Sequence, residues 1–318
     1  MKILLTGGAG FMGSAFIRHI LKNYTNYHIV NFDKLTYAGQ NNNLLEIESN
    51  PRYSFIQGDI TDSEQIYKAV CEVDAVLHYA AETRVDRSIE NADCFASTNL
   101  IGTLRVLEAV NKAKIKKMIQ ISTDEVYGSI SNGSLDEASA FLPNNPYSAS
   151  KAGADLMCRA FYQTHKTPVV VTHGCNNYGP YQHVEKFIPL CISYALQNKK
   201  IPIFGDGSNI RTWIFMEDYC KAIDMILHKG EVGAIYNIGT QYEISNLELA
   251  TMILSILGKD TSLLEFISDR VGHDFRYSLS YKRLSDLGWE PKIGLEEGIA
   301  KTINWYQANE NWWKNNSA

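Results

Sequence analysis

The sequence lacks several of the signatures that would take it out of the class of ordinary soluble enzymes. No stretch approaches the roughly 20 consecutive apolar residues that a bilayer-spanning helix needs. The opening Met1-Lys2-Ile3-Leu4-Leu5-Thr6-Gly7 has no long apolar run of the secretory type and passes directly into a glycine turn, so a cytoplasmic location is expected. Positive charge is in short supply: 30 Lys and Arg against 35 Asp and Glu leave a formal charge of −5. Binding along a phosphate backbone needs clustered Lys and Arg, so nucleic acid is not an expected partner. The six cysteines (Cys71, Cys94, Cys158, Cys175, Cys191 and Cys220) contain no C-x-x-C pair, and the eight histidines contain no H-x-x-x-H pair. Buried, reduced thiols are therefore expected rather than disulfides, and no metal is expected. Internal repeats, low-complexity tracts and long linkers are also missing.

What is present is a chain of 318 residues, 45% hydrophobic and 20% charged, which suits a globular protein. That length accommodates a full α/β nucleotide-binding domain and a smaller partner domain. Short β-branched runs, at 3–5, 29–32, 54–56, 75–78, 118–121 and 169–171, alternate with helical patterns near 12–24, 63–71, 92–113 and 146–164. Such alternation predicts parallel βαβ units with helices on both faces of one sheet. The near-continuous apolar strands fit a sheet buried on both sides. After 175 the rhythm changes: residues 176–211 read as Pro-, Gly- and Tyr-rich loops around a helix near 186–198. A further strand is expected over 234–239 and a terminal helix near 295–313. The fold class expected is thus α/β, a Rossmann-type doubly wound parallel sheet with a smaller, mostly C-terminal lobe. Residues 1–175, with about 212–247, would form the first domain; about 176–211 and 248–318 would form the lobe.

Thr6-Gly7-Gly8-Ala9-Gly10-Phe11-Met12-Gly13 follows the first strand and opens the first helix. The turn needs backbone freedom, a pyrophosphate must approach bare N–H groups, and the helix must pack closely on the strand. The positive end of that helix would face the pyrophosphate. The spacing is G-x-x-G-x-x-G rather than G-x-G-x-x-G. Asp33 ends the second strand about 20 residues on, where a carboxylate can bind the adenosine ribose and repel a 2′-phosphate, favouring NAD over NADP. Lys34 beside it softens that preference. Gly58-Asp59-Ile60 and Tyr79-Ala80-Ala81-Glu82, after the third and fourth strands, share this edge of the sheet, where ligands bind in such folds.

Tyr147 and Lys151 stand at i and i+4, on one face of a helix. A tyrosine of ordinary pKa about 10 is a poor base at neutral pH, and a nearby ammonium favours its phenolate. Beside an oxidised nicotinamide the pair could deprotonate a hydroxyl as hydride leaves the same carbon. Ser122-Thr123-Asp124-Glu125-Val126-Tyr127-Gly128 follows the fifth strand at the same edge. Adjacent carboxylates at a buried strand end either cap the loop or serve acid/base chemistry, because buried charge is costly unless used or paired.

These residues carry a family resemblance that covers nearly the whole chain. Thr6–Gly13, Asp33–Gly39, Ala80-Ala81-Glu82 with Val85-Asp86-Arg87-Ser88, Ser122–Gly128, Pro146–Lys151, Asn176–Tyr181 and Asp269-Arg270 with Gly272-His273-Asp274 resemble the extended short-chain dehydrogenase/reductase superfamily. Within it they are most similar to the dTDP-glucose 4,6-dehydratase family, and the Thr-Asp-Glu segment discriminates most, since the superfamily's sugar epimerases generally lack the paired acids.

The resemblance implies a lyase with tightly bound NAD that makes a 4-keto-6-deoxy sugar. Tyr147 with Lys151 would take the 4-hydroxyl proton, Thr123 would bond the 4-oxygen, Glu125 would remove the C5 proton, and Asp124 would protonate the departing C6 hydroxyl. It implies cofactor contacts from Gly7, Gly10, Phe11, Met12, Gly13, Asp33, Lys34, Asp59, Ile60, Ala80, Ala81, Thr98, Tyr147, Lys151 and Asn177. The nucleotide sugar would be held by Thr83, Thr123, Asn176, Lys186, Pro202, Phe204, Arg211, Asn246, Arg270 and His273, with the two arginines on the pyrophosphate. A homodimer through the helices near 92–113 and 146–164 is implied too. Thr83-Arg84, Cys175, Phe204, Thr212 and Val271 depart from the family pattern. An NAD-dependent nucleotide-sugar 4-epimerase, a dehydratase for another nucleotide such as UDP-glucose, and a non-enzymatic NAD-binding protein stay open as alternatives.

Overall fold

The computed structural model describes residues 1–269 and 272–315. Seven strands form one parallel sheet: β1 (Lys2–Thr6), β2 (His28–Asp33), β3 (Tyr53–Gln57), β4 (Ala75–His78), β5 (Lys117–Thr123), β6 (Val169–Gly174) and, from much later in the chain, β10 (Ile235–Ile238). Their order across the sheet is β3-β2-β1-β4-β5-β6-β10. The chain reverses direction between β1 and β4, which opens a crevice at the carboxyl ends of the strands, the place where doubly wound sheets bind ligands. Alternate residues feed two cores. Ile3, Leu5, Leu77, Ile119 and Ile121 pack on one face, with Leu4, Val30, Val76 and Met118 on the other, so the central strands β1 and β4 are apolar on both faces.

The short strands β7 (Asn176–Tyr178), β8 (Ile201–Phe204), β9 (Ile210–Phe215), β11 (Glu243–Ser245) and β12 (Leu264–Ile267) build two small sheets, β11-β9-β7 and β12-β8. The segment expected to be loops around a helix therefore contains three strands as well as the helix Phe187–Leu196. Runs of three to six residues carry too little periodicity to declare themselves. Strand β9 serves two cores at once: Ile214 packs on the large sheet, while Trp213 and Phe215 join a third cluster with Ile188, Ile253 and Trp313. Leu279, Leu284 and Trp289, far along the chain, return to the large sheet.

Two helices bear on the site. Pro146–His165 begins with a capping box in which Ser148 N–H donates to Asn145 Oδ1 at 2.9 Å, and Pro146 occupies the first turn. That cap fixes where Tyr147 and Lys151 emerge. The single helix expected over 92–113 is instead Ala92–Phe95 and Thr103–Ala113, joined by a π-helical stretch Ala96–Gly102. The stretch turns Asn99 inward, where its amide Nδ2 donates to the Glu82 carbonyl (3.0 Å) and to Ser150 Oγ (2.9 Å). π-turns of this kind recur at functional sites. Cys158, Cys175, Cys191 and Cys220 are buried free thiols; Cys71, against expectation, is exposed because it caps an outer helix. Among the described residues no helix is long and apolar enough to cross a membrane.

Candidate active site

The glycine turn is dictated by contact with its neighbours. Gly7 has φ +71°, and a Cβ there would lie 2.5 Å from the Ala80 nitrogen; at Gly13 it would lie 2.5 Å from the Gly7 carbonyl. Gly7 N–H donates to the Phe32 carbonyl at 2.9 Å, pinning the turn to β2. The helix Phe11–Asn23 starts at Gly10 with no side-chain cap and no acid in its first turn. Its leading amides thus face the crevice as donors for an anion. Asp33 accepts from Ala9 N–H (2.9 Å) and Leu35 N–H (2.8 Å), and burial raises its carboxyl despite these bonds. Lys34 is tied to Asp59 at 2.7 Å. Ile60, Ala80, Ala81, Thr98 and Asn177 line the same cleft. A bare glycine cradle, an uncapped helix end and a fixed carboxylate together fit a dinucleotide with a free ribose 2′-hydroxyl.

The groups expected to do acid/base work gather where β5 ends. Thr123 caps the short 3₁₀ turn Asp124–Tyr127, accepting from Glu125 N–H at 3.3 Å. The turn sends the two adjacent carboxylates into different surroundings. Asp124 is 2% exposed; Thr123 Oγ1 donates to its Oδ1 at 3.2 Å, and its Oδ2 has no partner. Burial and then the Glu125 charge push its carboxyl from 3.8 up to about 7, against the pull of Arg211. Glu125 is only half-buried. At about 7 the Asp124 carboxyl is in the range where it can carry a proton near neutral pH.

Tyr147 is buried, and burial followed by the Glu125 charge drives its phenol well above the ordinary value, opposed by a hydrogen bond with Thr123. The sequence pattern assigns Lys151 the task of drawing that phenol down. In the structure the Lys151 ammonium instead donates to the Ile121 carbonyl at 2.6 Å, and its own burial lowers it.

The residues expected to hold a nucleotide sugar fall into two groups. Lys186 Nζ donates to the Thr83 carbonyl (3.1 Å) and to Thr83 Oγ1 (3.3 Å), and with Asn176 these line the cleft. Farther out, on the smaller sheets, the Phe204 ring meets His273 edge-on at 6.2 Å, and His273 Nδ1 lies 2.7 Å from Asp269 Oδ1. Pro202 precedes Phe204 on β8 by two residues, on the strand paired with β12. Asn246 opens the helix Asn246–Ile256. Arg211 is buried over the Tyr277 ring, donating to the carbonyls of Ile210, Asp274 and Phe275 at 2.8, 2.8 and 3.1 Å. Its charge reaches Asp124 all the same. Arg270 and Val271 lie outside the described residues. Of the other departures, Thr212 is buried, its hydroxyl donating to the Tyr277 carbonyl at 3.0 Å, and Arg84 pairs with Glu185 at 3.3 Å.

Residues behind and around the cleft were given no role by the sequence. Asn99 depends on the π-turn, which leaves no signature in sequence. Tyr37 lies beneath the Arg87 guanidinium (4.3 Å), and Arg87 pairs with Glu82 at 3.6 Å. Burial, then the charges of Glu185 and Glu82, push the Tyr37 phenol up to about 12. Trp312, from the last described helix, also reaches the cleft wall.

Comparison with known proteins agrees with this geometry. The family model described as GDP-mannose 4,6 dehydratase matches residues 4–302. The low-salt glycan biosynthesis protein Agl12 of Haloferax volcanii is 45% identical, over 98% of this chain and all of that protein. A dTDP-glucose 4,6-dehydratase of Actinoplanes sp. is 44% identical, over 98% of this chain and 100% of its own. The crystal structure of DesIV, a dTDP-glucose 4,6-dehydratase from Streptomyces venezuelae with NAD and TYD bound, superposes with a TM-score of 0.97 at 43% identity, covering 99% of this chain and 100% of that one. A UDP-glucose 4-epimerase from Thermus thermophilus shares the fold at 27% identity and a TM-score of 0.89, covering 97% of this chain and 100% of that one. With a dinucleotide cradle, a Tyr/Lys pair and two adjacent carboxyls in different surroundings at one sheet edge, and a family match spanning nearly its full length, the chain belongs to the GDP-mannose 4,6 dehydratase family.

Proposed function

We propose that the protein is a dTDP-glucose 4,6-dehydratase, a lyase that converts dTDP-glucose to dTDP-4-keto-6-deoxy-glucose and water. The observation that carries the reading is the adjacent carboxyl pair beside Tyr147, with Asp124 buried and its carboxyl pushed up to about 7 while Glu125 is half-buried. A 4-epimerase would use Tyr147 but would have no task for the two acids.

NAD, held by the Gly7–Gly13 turn and Asp33, would accept hydride from sugar C4 and return it to C6. Tyr147 takes the proton of the 4-hydroxyl, with Thr123 fixing the 4-oxygen. The resulting ketone acidifies the C5 proton, which Glu125 removes. Asp124 gives its proton to the C6 hydroxyl, which leaves as water. Both carboxyls end the elimination with their protonation exchanged; Glu125 would return its proton to C5 as C6 is reduced, and the proton that Tyr147 took from the 4-hydroxyl is released to solvent as Asp124 is reprotonated from it, which restores every group. Lys186, Thr83 and Asn176 on the cleft wall, with Arg211, Asn246, His273, Pro202 and Phe204 beyond it, are assigned to the nucleotide sugar, and Arg270 is assigned to it from the sequence pattern alone. The Rossmann part, 1–175 with about 212–247, would carry the cofactor, and 176–211 with 248–318 the sugar nucleotide.

We infer a cytoplasmic homodimer. Exposed Ile89, Ile101 and Leu156 on the helical segments around 85–102 and 146–165 support that interface, and light scattering showing only monomer at micromolar concentration would refute it. Product analysis tests the activity: incubation with dTDP-glucose and, separately, UDP-glucose, followed by mass and NMR spectra. Loss of one water with a new C6 methyl is expected, faster from the thymidine substrate. An unchanged mass with inverted C4 would replace the dehydratase by an epimerase.

A further inference from the structure

Strands β1 and β4 end in a buried polar crossing. Thr6, the last residue of β1 before Gly7, is in register with His78, the last residue of β4. None of Thr6, His78, Thr103 and Asn99 is more than 1% exposed. Polar groups so deep in a core are costly unless their donors and acceptors are met.

The bonds among them form one chain with a single consistent set of proton positions. Thr103 Oγ1 lies 2.6 Å from the Asn99 carbonyl, which can only accept, so the hydroxyl proton points there. His78 Nε2, 3.1 Å from the same hydroxyl oxygen, must then be the donor. Burial, followed by the Lys151 charge, drives this ring down to about 3, and a neutral imidazole carries one N–H. Nδ1 is therefore an acceptor and takes the Thr6 hydroxyl proton at 2.6 Å. The Thr6 oxygen in turn accepts from Ala80 N–H at 3.3 Å.

Asn99 carries the chain onward. Its Oδ1 accepts from Glu82 N–H at 2.8 Å, and its Nδ2 donates to the Glu82 carbonyl and to Ser150 Oγ. Ser150 Oγ donates to the Tyr147 carbonyl at 2.7 Å. One end of the chain is thus the glycine turn with the Ala80 wall packed on Gly7. The other end is the first turn of the helix that bears Tyr147. His78 stands between them: without its two ring nitrogens, Thr6 and Thr103 lose the partner they share.

We propose that His78 is a positioning residue for C4 oxidation: as a neutral Nε2–H imidazole it ties the turn that cradles the cofactor to the helix turn that carries Tyr147, and so sets their separation. The inference rests on the dehydratase reading for the reaction that feels this separation, and on the hydrogen-bond geometry alone for the tautomer.

His78→Phe keeps a ring of similar size and removes both nitrogens. Single-turnover C4 oxidation by the holoenzyme should slow by about 10²-fold, the scale of a misplacement near 1 Å. The loss should fall in kcat and leave KM nearly unchanged, because no substrate group is touched. His78→Gln offers an amide N–H and a carbonyl oxygen in place of the ring's donor and acceptor, and should recover most of the rate. If His78→Phe works as well as His78→Gln, the ring only fills space and the proposal falls. Should His78→Phe not fold, Thr103→Val breaks the same chain one bond farther along at nearly unchanged size. It is expected to show the same loss in kcat, and a wild-type rate would overturn the proposal. Nitrogen NMR of the histidine-labelled, substrate-free holoenzyme, with His78 assigned by its absence from His78→Gln, reads the tautomer without turnover. A neutral ring protonated at Nε2 is expected; a ring protonated at Nδ1, alone or with Nε2, refutes the chain. That readout stands even if product analysis rejects dTDP-glucose.

Discussion

Asp124→Asn perturbs chemistry and stability in opposite directions. In the wild type the carboxyl stands at about 7 instead of 3.8, so near neutrality it is about half protonated and able to donate. Amide replacement removes the proton but keeps the size and the Thr123 contact. Loss of a general acid typically costs 10²–10⁴-fold, so elimination should slow by about that factor while C4 oxidation continues. Reduced cofactor should then accumulate and be visible as NADH absorbance during turnover. The wild-type elimination rate should fall as pH rises through about 7, because the acid form is lost, and this falling limb should vanish in the variant.

The stability effect has a definite sign. A carboxyl whose folded pKa is raised binds more protons in the folded than in the unfolded protein, so wild-type stability declines between pH 4 and about 7. The two states differ by roughly 3 pH units at this group, and a shift of one unit is worth 1.36 kcal/mol. Asp124→Asn should therefore be more stable than wild type at pH 8, by up to about 4 kcal/mol, and little different near pH 4. Denaturant unfolding of the cofactor-free protein at both pH values measures this. An unchanged elimination rate together with equal stability at pH 8 would refute the reading of Asp124 as a buried, elevated acid.

Tyr147→Phe should abolish C4 oxidation by about 10²–10⁴-fold with no build-up of NADH, the opposite signature to Asp124→Asn. Glu125→Gln should oxidise C4 but stall before elimination, detectable as NADH accumulation and as loss of solvent-proton incorporation at C5. Gly7→Ala forces a side chain into a left-handed position at a cost of about 1–2 kcal/mol and drives a Cβ to 2.5 Å from the Ala80 backbone. It should lower the melting temperature and the NAD content of the purified protein, measured by the absorbance of released cofactor.

How far the fold and the site were legible depends on the length of the pattern that carries each part. The parallel sheet could be read because β1, β4 and β5 are apolar on both faces and are separated by helices long enough to show a period. Strand β9 could not be read, because Ile210–Phe215 feeds Trp213 and Phe215 to one core and Ile214 to another, which obscures any single buried face. Asp33 and the glycine turn were legible because spacing alone implies contact. The position of Asp124 was legible, but its elevated carboxyl was not, since that depends on burial and on Glu125 being folded back beside it. Asn99 and Trp312 needed the π-turn and the C-terminal packing, neither of which has a local code. The relation of Lys151 to Tyr147 was legible only as proximity: i,i+4 spacing brings the two turns together but does not say which carbonyl the ammonium bonds.

The acid and the base of the elimination are not independent, and this fixes how their variants must combine. Glu125 charge is the second cause of the raised Asp124 carboxyl and also of the raised Tyr147 phenol. Glu125→Gln therefore removes the base, weakens Asp124 as an acid at pH 7 by lowering its pKa, and makes Tyr147 easier to ionise. Elimination loses its base and part of the elevation of its acid, while the burial that chiefly raises Asp124 stays, and C4 oxidation should shift to lower pH. Adding Asp124→Asn to Glu125→Gln should therefore cost less than Asp124→Asn costs alone, so the double variant should eliminate faster than the product of the two losses predicts. Single-turnover measurement of oxidation and elimination in the two single variants and the double variant closes the cycle. Multiplicative losses would mean that the two carboxyls act without sensing one another, and the 3₁₀ turn that holds them side by side would then have no part in dividing their roles.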